Sequence, residues 1–180
     1  MRKLHAVLLA MALLSTLVNA EEKRELLSRH ETVAVYAGAP FKTCLGMTTL
    51  CPDKCDGSGE LATFKIRGYL AYEKRGEYGD PKQSQFVVRI SDYNKKPLGN
   101  PERRAVLDTL KPGDFVLLAW NHDYVTRDGA SSPERPVQNL KKISAAEAAE
   151  LLKKADAAPE EPKVPAQPRG AAPAARAVAF

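Results

Sequence analysis

The sequence predicts a mainly β chain, arranged as a small five-stranded antiparallel barrel with a short helix between strands three and four and a C-terminal helix. Three observations predict this class. Apolar and polar residues alternate along several short segments, which is the period of a sheet with one wet face. One further segment is apolar on both faces, and turn-forming residues separate the segments. With 44% hydrophobic and 27% charged residues, the 180-residue chain is suited to one soluble globular domain.

Five segments carry the strand pattern. A β-rich run at 32–36 comes first, and the alternation is clearest at 62–73 and again at 86–90. The segment 115–125 is apolar on both faces, so we expect it in the centre of the sheet. Val137–Ile143 supplies the last strand.

Two helices accompany these strands. The first begins at Asn100 with Pro101 at its first helical position, runs to Leu110 and is stopped by the Lys-Pro-Gly-Asp that follows. The second begins at the Ser-Ala-Ala-Glu of 144–147, which matches a capping box. Its Ala-rich run predicts a helix over 145–157.

The order strand, strand, strand, helix, strand, strand resembles the OB-fold, and the resemblance covers residues 31–144. An SH3-like barrel or a small sandwich uses similar elements and stays open as an alternative. Binding in OB-like barrels uses the second and third strands, and this implies a ligand face, for a glycan or a peptide, made of Lys65, Arg67, Tyr69 and Arg89. Alternating basic and aromatic residues are also typical of an ordinary solvated sheet face.

The first twenty residues have the composition of a signal peptide. Arg2 and Lys3 precede an apolar run at 6–18, and Val-Asn-Ala provides a small-residue cleavage site before Glu21. The apolar run is shorter than the roughly 20 residues that cross a bilayer. We therefore expect export to the periplasm or the extracellular space and no membrane span in the mature protein, with an uncleaved anchor as the alternative.

Both ends of the mature chain differ in composition from its centre. The charged stretch 21–29 is expected to form a short peripheral helix, and His30 to be solvated. The Pro- and Ala-rich C-terminal stretch has no apolar period and predicts disorder. The predicted organisation is a signal peptide (1–20), a charged segment (21–30), a β domain (31–144), a helix (145–157) and a disordered tail (158–180).

The charge balance bears on the partners. Without Arg2 and Lys3 of the leader, the chain has 25 basic and 22 acidic residues. Phosphate affinity needs clustered Lys and Arg, so we expect no nucleic-acid partner. No other partner is indicated, and we expect a monomer.

Three cysteines within twelve residues are the least random feature of the chain. Thiolates bind zinc tetrahedrally, and short spacings let one loop supply several ligands. A histidine at the end of the most buried strand is the expected fourth ligand, with Asp53 or Asp123 as substitutes. The predicted zinc site therefore consists of Cys44, Cys51, Cys55 and His122.

Two other interpretations of the cysteines stay open. An exported compartment favours a disulfide with one free thiol, and the sequence does not choose among the three pairings. Redox chemistry is the third interpretation, with Lys54 beside Cys55 as the only local cation that could activate a thiol. No other motif indicates catalysis, so a non-enzymatic binding module is expected and a thiol-dependent oxidoreductase is the alternative.

Overall fold

A computed structural model of the chain describes residues 22–46, 48–55 and 57–157. The predicted signal peptide and the Pro- and Ala-rich tail lie outside these residues. Within them, neither helix combines the length and apolar character needed to cross a membrane. The elements follow in the order β1 (Lys23–Gly38), β2 (Phe41–Lys42), β3 (Gly59–Lys74), β4 (Gln85–Arg89), α1 (Pro101–Thr109), β5 (Phe115–Arg127), β6 (Ala130–Glu134), β7 (Val137–Ile143) and α2 (Ala145–Ala157).

The mainly β class is confirmed, and each predicted strand segment lies within a strand of the structure, except that Ile90 falls just after β4. Strands β2 and β6 are additional. Strand β6 forms a hairpin with β5 through a two-residue turn at Asp128 and Gly129, whose φ angles are 51° and 78°. Two positive φ angles in succession match the twist of the flanking strands, and Asp-Gly is well suited to this turn.

Strand β1 is the centre of an antiparallel sheet. Near its start, Ser28 lies opposite Lys74 of β3 and His122 of β5, and Gly38 at its end lies opposite Thr63 of β3. Strands β2 and β4 pair with β3, while β6 and β7 pair with β5. Among the described residues β4 does not pair with β7, so the sheet is not closed and the predicted five-stranded barrel is not confirmed.

Helix α1 contacts the two strands that a closed barrel would join. Arg103 donates a hydrogen bond to the Val137 carbonyl of β7 (2.6 Å), and Arg104 donates to the Ile90 carbonyl just after β4 (3.4 Å). Leu107 is buried in the main apolar core together with residues of both strands. Helix α1 therefore packs against β4 and β7 at the place where these two strands would be hydrogen-bonded in a closed barrel.

Helix α2 covers another part of the sheet. Its start confirms one half of the capping box, because the Glu147 amide donates to Ser144 Oγ (3.1 Å). Ala148 is buried in a second apolar cluster. A Cβ atom on Gly68 of β3 would lie 2.4 Å from Leu152 Cδ2, so the absence of a side chain there lets the helix approach the strand closely.

The prediction for the N-terminal segment is wrong. Residues expected to form a short helix belong to β1, and His30, expected to be solvated, is 0% exposed. The inward positions of this half of β1 are the polar residues Ser28, His30 and Thr32, all fully buried. The alternation of a strand is present, but polar side chains carry it, and a search for apolar periodicity does not detect it.

Candidate metal centre

The three cysteines lie in the connection between β2 and β3, which we call the Cys loop (residues 43–58). The Sγ atoms of Cys44, Cys51 and Cys55 all lie within 4.8 Å of one another, and those of Cys44 and Cys51 are 3.6 Å apart. All three residues are half-buried free thiols. The fold therefore gathers the three predicted sulfur ligands at one place.

The sulfur spacing distinguishes between two interpretations of the cysteines. A disulfide needs an S–S distance of about 2.05 Å. Two thiolates on one tetrahedral zinc ion, each about 2.3 Å from it, lie about 3.8 Å apart. The 3.6 Å between Cys44 and Cys51 is close to the second value. The disulfide-stapled loop is not formed in the structure.

Ser58 ties the two halves of the Cys loop together. Its hydroxyl accepts a hydrogen bond from the Cys44 amide (2.9 Å) and donates one to the Pro52 carbonyl (2.6 Å). Arg89 of β4 donates to the Ser58 carbonyl (3.4 Å). The Ser58 residue is 1% exposed, so these bonds are shielded from water. Ser58 thereby fixes the position of Cys44 against the turn that precedes Cys55.

Two glycines pack directly on the sulfur atoms. A Cβ atom on Gly46 would lie 3.0 Å from Cys51 Sγ and 3.1 Å from Cys44 Sγ. A Cβ atom on Gly57 would lie 2.8 Å from Cys44 Sγ. The Gly57 amide also donates a hydrogen bond to Cys55. Glycine at both positions allows the backbone to approach the sulfur atoms closely.

The surroundings of Cys51 and Cys55 shift their pKa values in opposite directions. Hydrogen bonds from the Thr48 hydroxyl and from Cys55 lower the pKa of Cys51 to about 7. The Gly57 amide has the largest single influence on Cys55 and lowers its pKa, but hydrogen bonds with Cys51 and burial raise the pKa of Cys55 overall. Cys51, rather than the Cys55 singled out by its neighbour Lys54, is the thiol that ionises more readily.

The structure does not bring His122 to the three thiols. His122 lies opposite Ser28, near the start of β1, whereas the Cys loop follows the other end of that strand. Ser28 and Gly38 are separated by about 30 Å of extended chain. The predicted set of three cysteines and His122 is therefore wrong in its fourth member.

Neither substitute ligand joins the sulfur atoms. Asp123 Oδ2 lies 3.2 Å from Arg24 Nη1, at the same end of the sheet as His122. Asp53 is an exposed residue of the Cys loop and does not belong to the group of close ligand atoms. Among the described residues, that group consists of the three thiols alone.

His122 belongs to a second polar group, the histidine cluster, which consists of Ser28, His30, Asp80, Trp120 and His122. His30 stacks on Trp120 with ring centroids 4.4 Å apart, and its Nε2 shares a hydrogen bond with Ser28 Oγ (3.0 Å). His122 Nδ1 lies 3.2 Å from Asp80 Oδ1, at an angle that does not form a hydrogen bond. Sequence reasoning missed this cluster because it depends on pairing between distant strands.

Burial governs the protonation of both histidines. It lowers the pKa of His30 to about 4, against an opposing attraction from Asp80. Burial also lowers the pKa of His122. Asp80 itself forms a two-bond ion pair with Arg135 (2.6 and 2.9 Å), which lowers the pKa of the carboxyl group. At neutral pH the cluster therefore holds two uncharged imidazoles beside a paired carboxylate.

The residues of the predicted ligand face have different surroundings. Lys65 and Arg67 are exposed on β3. The Tyr69 hydroxyl accepts a hydrogen bond from the Gln83 amide (2.7 Å) in the loop that follows β3. Arg89 contacts the Cys loop as described above. Two of the four residues are thus engaged in positioning loops, which is a structural role for them.

No protein-family model, curated protein or solved structure matches this chain.

Proposed function

We propose that this chain is an exported, non-enzymatic β module that binds a metal ion, with zinc as the first candidate, through Cys44, Cys51 and Cys55. The observation that carries the proposal is the grouping of three free Sγ atoms within 4.8 Å. Thiolates are preferred ligands of zinc and of soft metal ions. The hydrogen bond from the Thr48 hydroxyl, which lowers the pKa of Cys51, supports the thiolate form of that residue. The predicted signal peptide supports the exported location.

The OB-like arrangement forms part of the same proposal. Its support is the pairing of β1 with both β3 and β5, of β3 with β4 and of β5 with β7. Helix α1 lies in the chain between β4 and β5, the place that the resemblance requires. This fold-level likeness adds nothing to the metal assignment, which depends on the thiols alone.

Metal content of the purified mature protein, kept reduced throughout, tests the proposal. We expect about one zinc ion per chain. Cys44→Ser and Cys51→Ser should each lower the zinc affinity at least tenfold, since a hydroxyl is a poor substitute for a thiolate. His122→Ala is the matched control and should retain the metal, because His122 lies far from the Cys loop. A metal-free wild-type protein, or metal loss in His122→Ala, would contradict the proposal.

A thiol-dependent oxidoreductase is the second candidate, and one observation favours it. Cys44 Sγ and Cys51 Sγ lie 3.6 Å apart, so a small movement would let them form a bond. In this reaction the two thiols lose two protons and two electrons to a substrate disulfide. The products are a Cys44–Cys51 disulfide and two substrate thiols.

Insulin reduction by the metal-free protein tests the second candidate. Activity that disappears in Cys51→Ser and survives in Cys55→Ser would support it, because the pKa of Cys51 is lowered and that of Cys55 is raised. A rate equal to the uncatalysed reduction at every pH near neutrality would rule it out and leave the metal site as the remaining candidate.

A further inference from the structure

The connection between β3 and β4, which we call the β3–β4 loop (residues 75–84), lies across the histidine cluster. Gly79, Asp80 and Gln83 of this loop are buried or half-buried, while its other residues are exposed. A Cβ atom on Gly79 would lie 2.4 Å from the Leu27 carbonyl oxygen of β1. The loop therefore packs directly on the first half of β1, beside the buried side chains of the cluster.

The main chain of Asp80 attaches the loop to two strands. Its amide donates a hydrogen bond to Ser28 Oγ of β1 (3.1 Å), and its carbonyl accepts one from the Tyr72 hydroxyl of β3 (3.0 Å). The same Ser28 Oγ shares a hydrogen bond with His30 Nε2 (3.0 Å). Because the loop and the imidazole use one hydroxyl group, a change in the hydrogen bonding of His30 reaches the loop directly.

The carboxylate of Asp80 attaches the loop a second time. Its two bonds to Arg135 (2.6 and 2.9 Å) join the loop to the connection between β6 and β7. The Arg135 side chain is 44% exposed, so water competes for this ion pair and its net contribution is small. Both attachments lie outside the ladders of the sheet, so they can break while β1 stays paired with β3 and β5.

Protonation of the cluster weakens these attachments. A protonated imidazole has two donors and no acceptor, so a charged His30 cannot accept a hydrogen bond from the Ser28 hydroxyl. The Arg135 guanidinium repels a charge on His30 or on His122, and burial opposes that charge more strongly than Asp80 favours it. Opening the loop admits water and reduces this burial. The titratable and charged groups around the two imidazoles are Tyr69 and Tyr72 from β3, Asp80 and Lys82 from the loop, Asp123 from β5 and Arg135 from the connection between β6 and β7.

We propose that the β3–β4 loop is an acid-released latch, which separates from Ser28 and Arg135 when the histidine cluster is protonated, while the sheet stays paired. The latch does not depend on the metal site. With the loop closed the pKa of His30 is about 4, and with the loop open it returns toward the ordinary 6.5. The open form thus binds more protons between pH 6.5 and pH 4, and opening becomes more favourable as the pH falls through this window.

Amide hydrogen exchange of the mature protein, followed by NMR at pH 7 and at pH 5, tests the latch. After correction for intrinsic exchange rates, the protection factor of the Asp80 amide should fall about twentyfold, as the two pKa values of His30 require. The Asp80 amide should be less protected than amides of the ladder between β1 and β5 at both pH values. Low concentrations of urea should not change its exchange, because local opening exposes little surface, whereas they should accelerate exchange in the ladder.

Three variants identify the parts of the latch. Arg135→Ala removes the ion pair with Asp80 and should lower the protection of the Asp80 amide about threefold or more at pH 7. Arg127→Ala is the matched control, because it removes exposed ion pairs with Glu22 and Glu134 that do not involve the loop, and it should leave that protection unchanged. His30→Phe should remove most of the fall between pH 7 and pH 5.

Three outcomes would overturn the latch. Equal protection of the Asp80 amide at pH 7 and pH 5 would show that the histidine cluster does not control the loop. A urea dependence equal to that of the ladder amides would show that the loop opens only when the whole domain unfolds. Unchanged protection in Arg135→Ala would show that the ion pair does not hold the loop. These results require only the wild type and a variant of an exposed residue, so they decide the question even where His30→Phe does not fold.

Discussion

Acidification from about pH 7 to about pH 4 is expected to lower the free energy of unfolding by about 3 kcal/mol through His30 alone. His30 is 0% exposed between Trp120 and the tyrosines of β3, and its burial lowers its pKa from an ordinary 6.5 to about 4. His122, whose pKa is also lowered by burial, adds to the effect in the same direction.

The direction of the effect follows from proton binding in the two states. Below pH 6.5 the unfolded chain binds a proton at His30, whereas the folded protein stays unprotonated there until about pH 4. The unfolded state thus binds more protons throughout this window, and stability falls as the pH falls. Above pH 6.5 neither state binds a proton at His30, so this residue no longer lowers the stability. Among the charged neighbours, Asp80 favours protonation of His30, while Arg135 and a protonated His122 oppose it.

Urea unfolding at several pH values between about 7 and 4 measures this effect. His30→Phe keeps an aromatic ring beside Trp120 and removes the titrating group, so the pH dependence should become markedly shallower. His122→Phe is the matched comparison and should flatten the curve less, because Asp80 lies 3.2 Å from this imidazole and offsets part of its burial. An unchanged pH dependence in His30→Phe would show that His30 is not its source.

Gly59→Ala is expected to destabilise the protein by about 3 kcal/mol or more. Gly59 has a φ of +138°, a conformation that L-residues with a side chain rarely adopt. A Cβ atom there would lie 2.0 Å from the Ser91 carbonyl oxygen. This oxygen belongs to the backbone, so it cannot move away without distorting the chain around it. Gly59 begins β3 directly after the Cys loop, so the substitution should weaken metal binding as well.

Gly76→Ala is the control for Gly59→Ala. Its φ is +72°, and a Cβ atom there would meet nothing within 4 Å, so only the cost of the left-handed conformation, about 1 kcal/mol, applies. Chemical unfolding of both variants gives the comparison. Equal losses would mean that the contact with Ser91 does not determine the difference.

Alternation and turn chemistry predicted most elements because both are local properties. The apolar pattern of β3, β4, β5 and β7 and the cap at Asn100 depend on neighbours in sequence, and the structure contains all of them. The first half of β1 escaped prediction because Ser28 and His30 occupy its inward positions. A polar inward face is recognisable only when the strands that cover it are known.

The sequence predicted the part of the candidate site that is formed by residues close together in the chain. Three cysteines close in sequence can be expected to meet, and their sulfur atoms do so. To decide whether His122 lies near the cysteines, one must know which strand pairs with β5 and in which direction it runs. Because β5 is antiparallel to β1, its late residues lie beside Ser28 near the start of β1, away from the loop that follows Gly38.

The position of β1 in the sheet also affects the order in which the fold can form. Its pairing with β5 begins with Lys23 opposite Thr126 and ends with Val35 opposite Phe115. Most of the β domain therefore separates the paired residues in sequence. Closing such long loops loses chain entropy before any contact compensates for it. A topology dominated by distant pairs places folding at the slow end for domains of this size. During folding, one edge of β1 therefore stays unpaired until β5, which lies far along the chain, is in place.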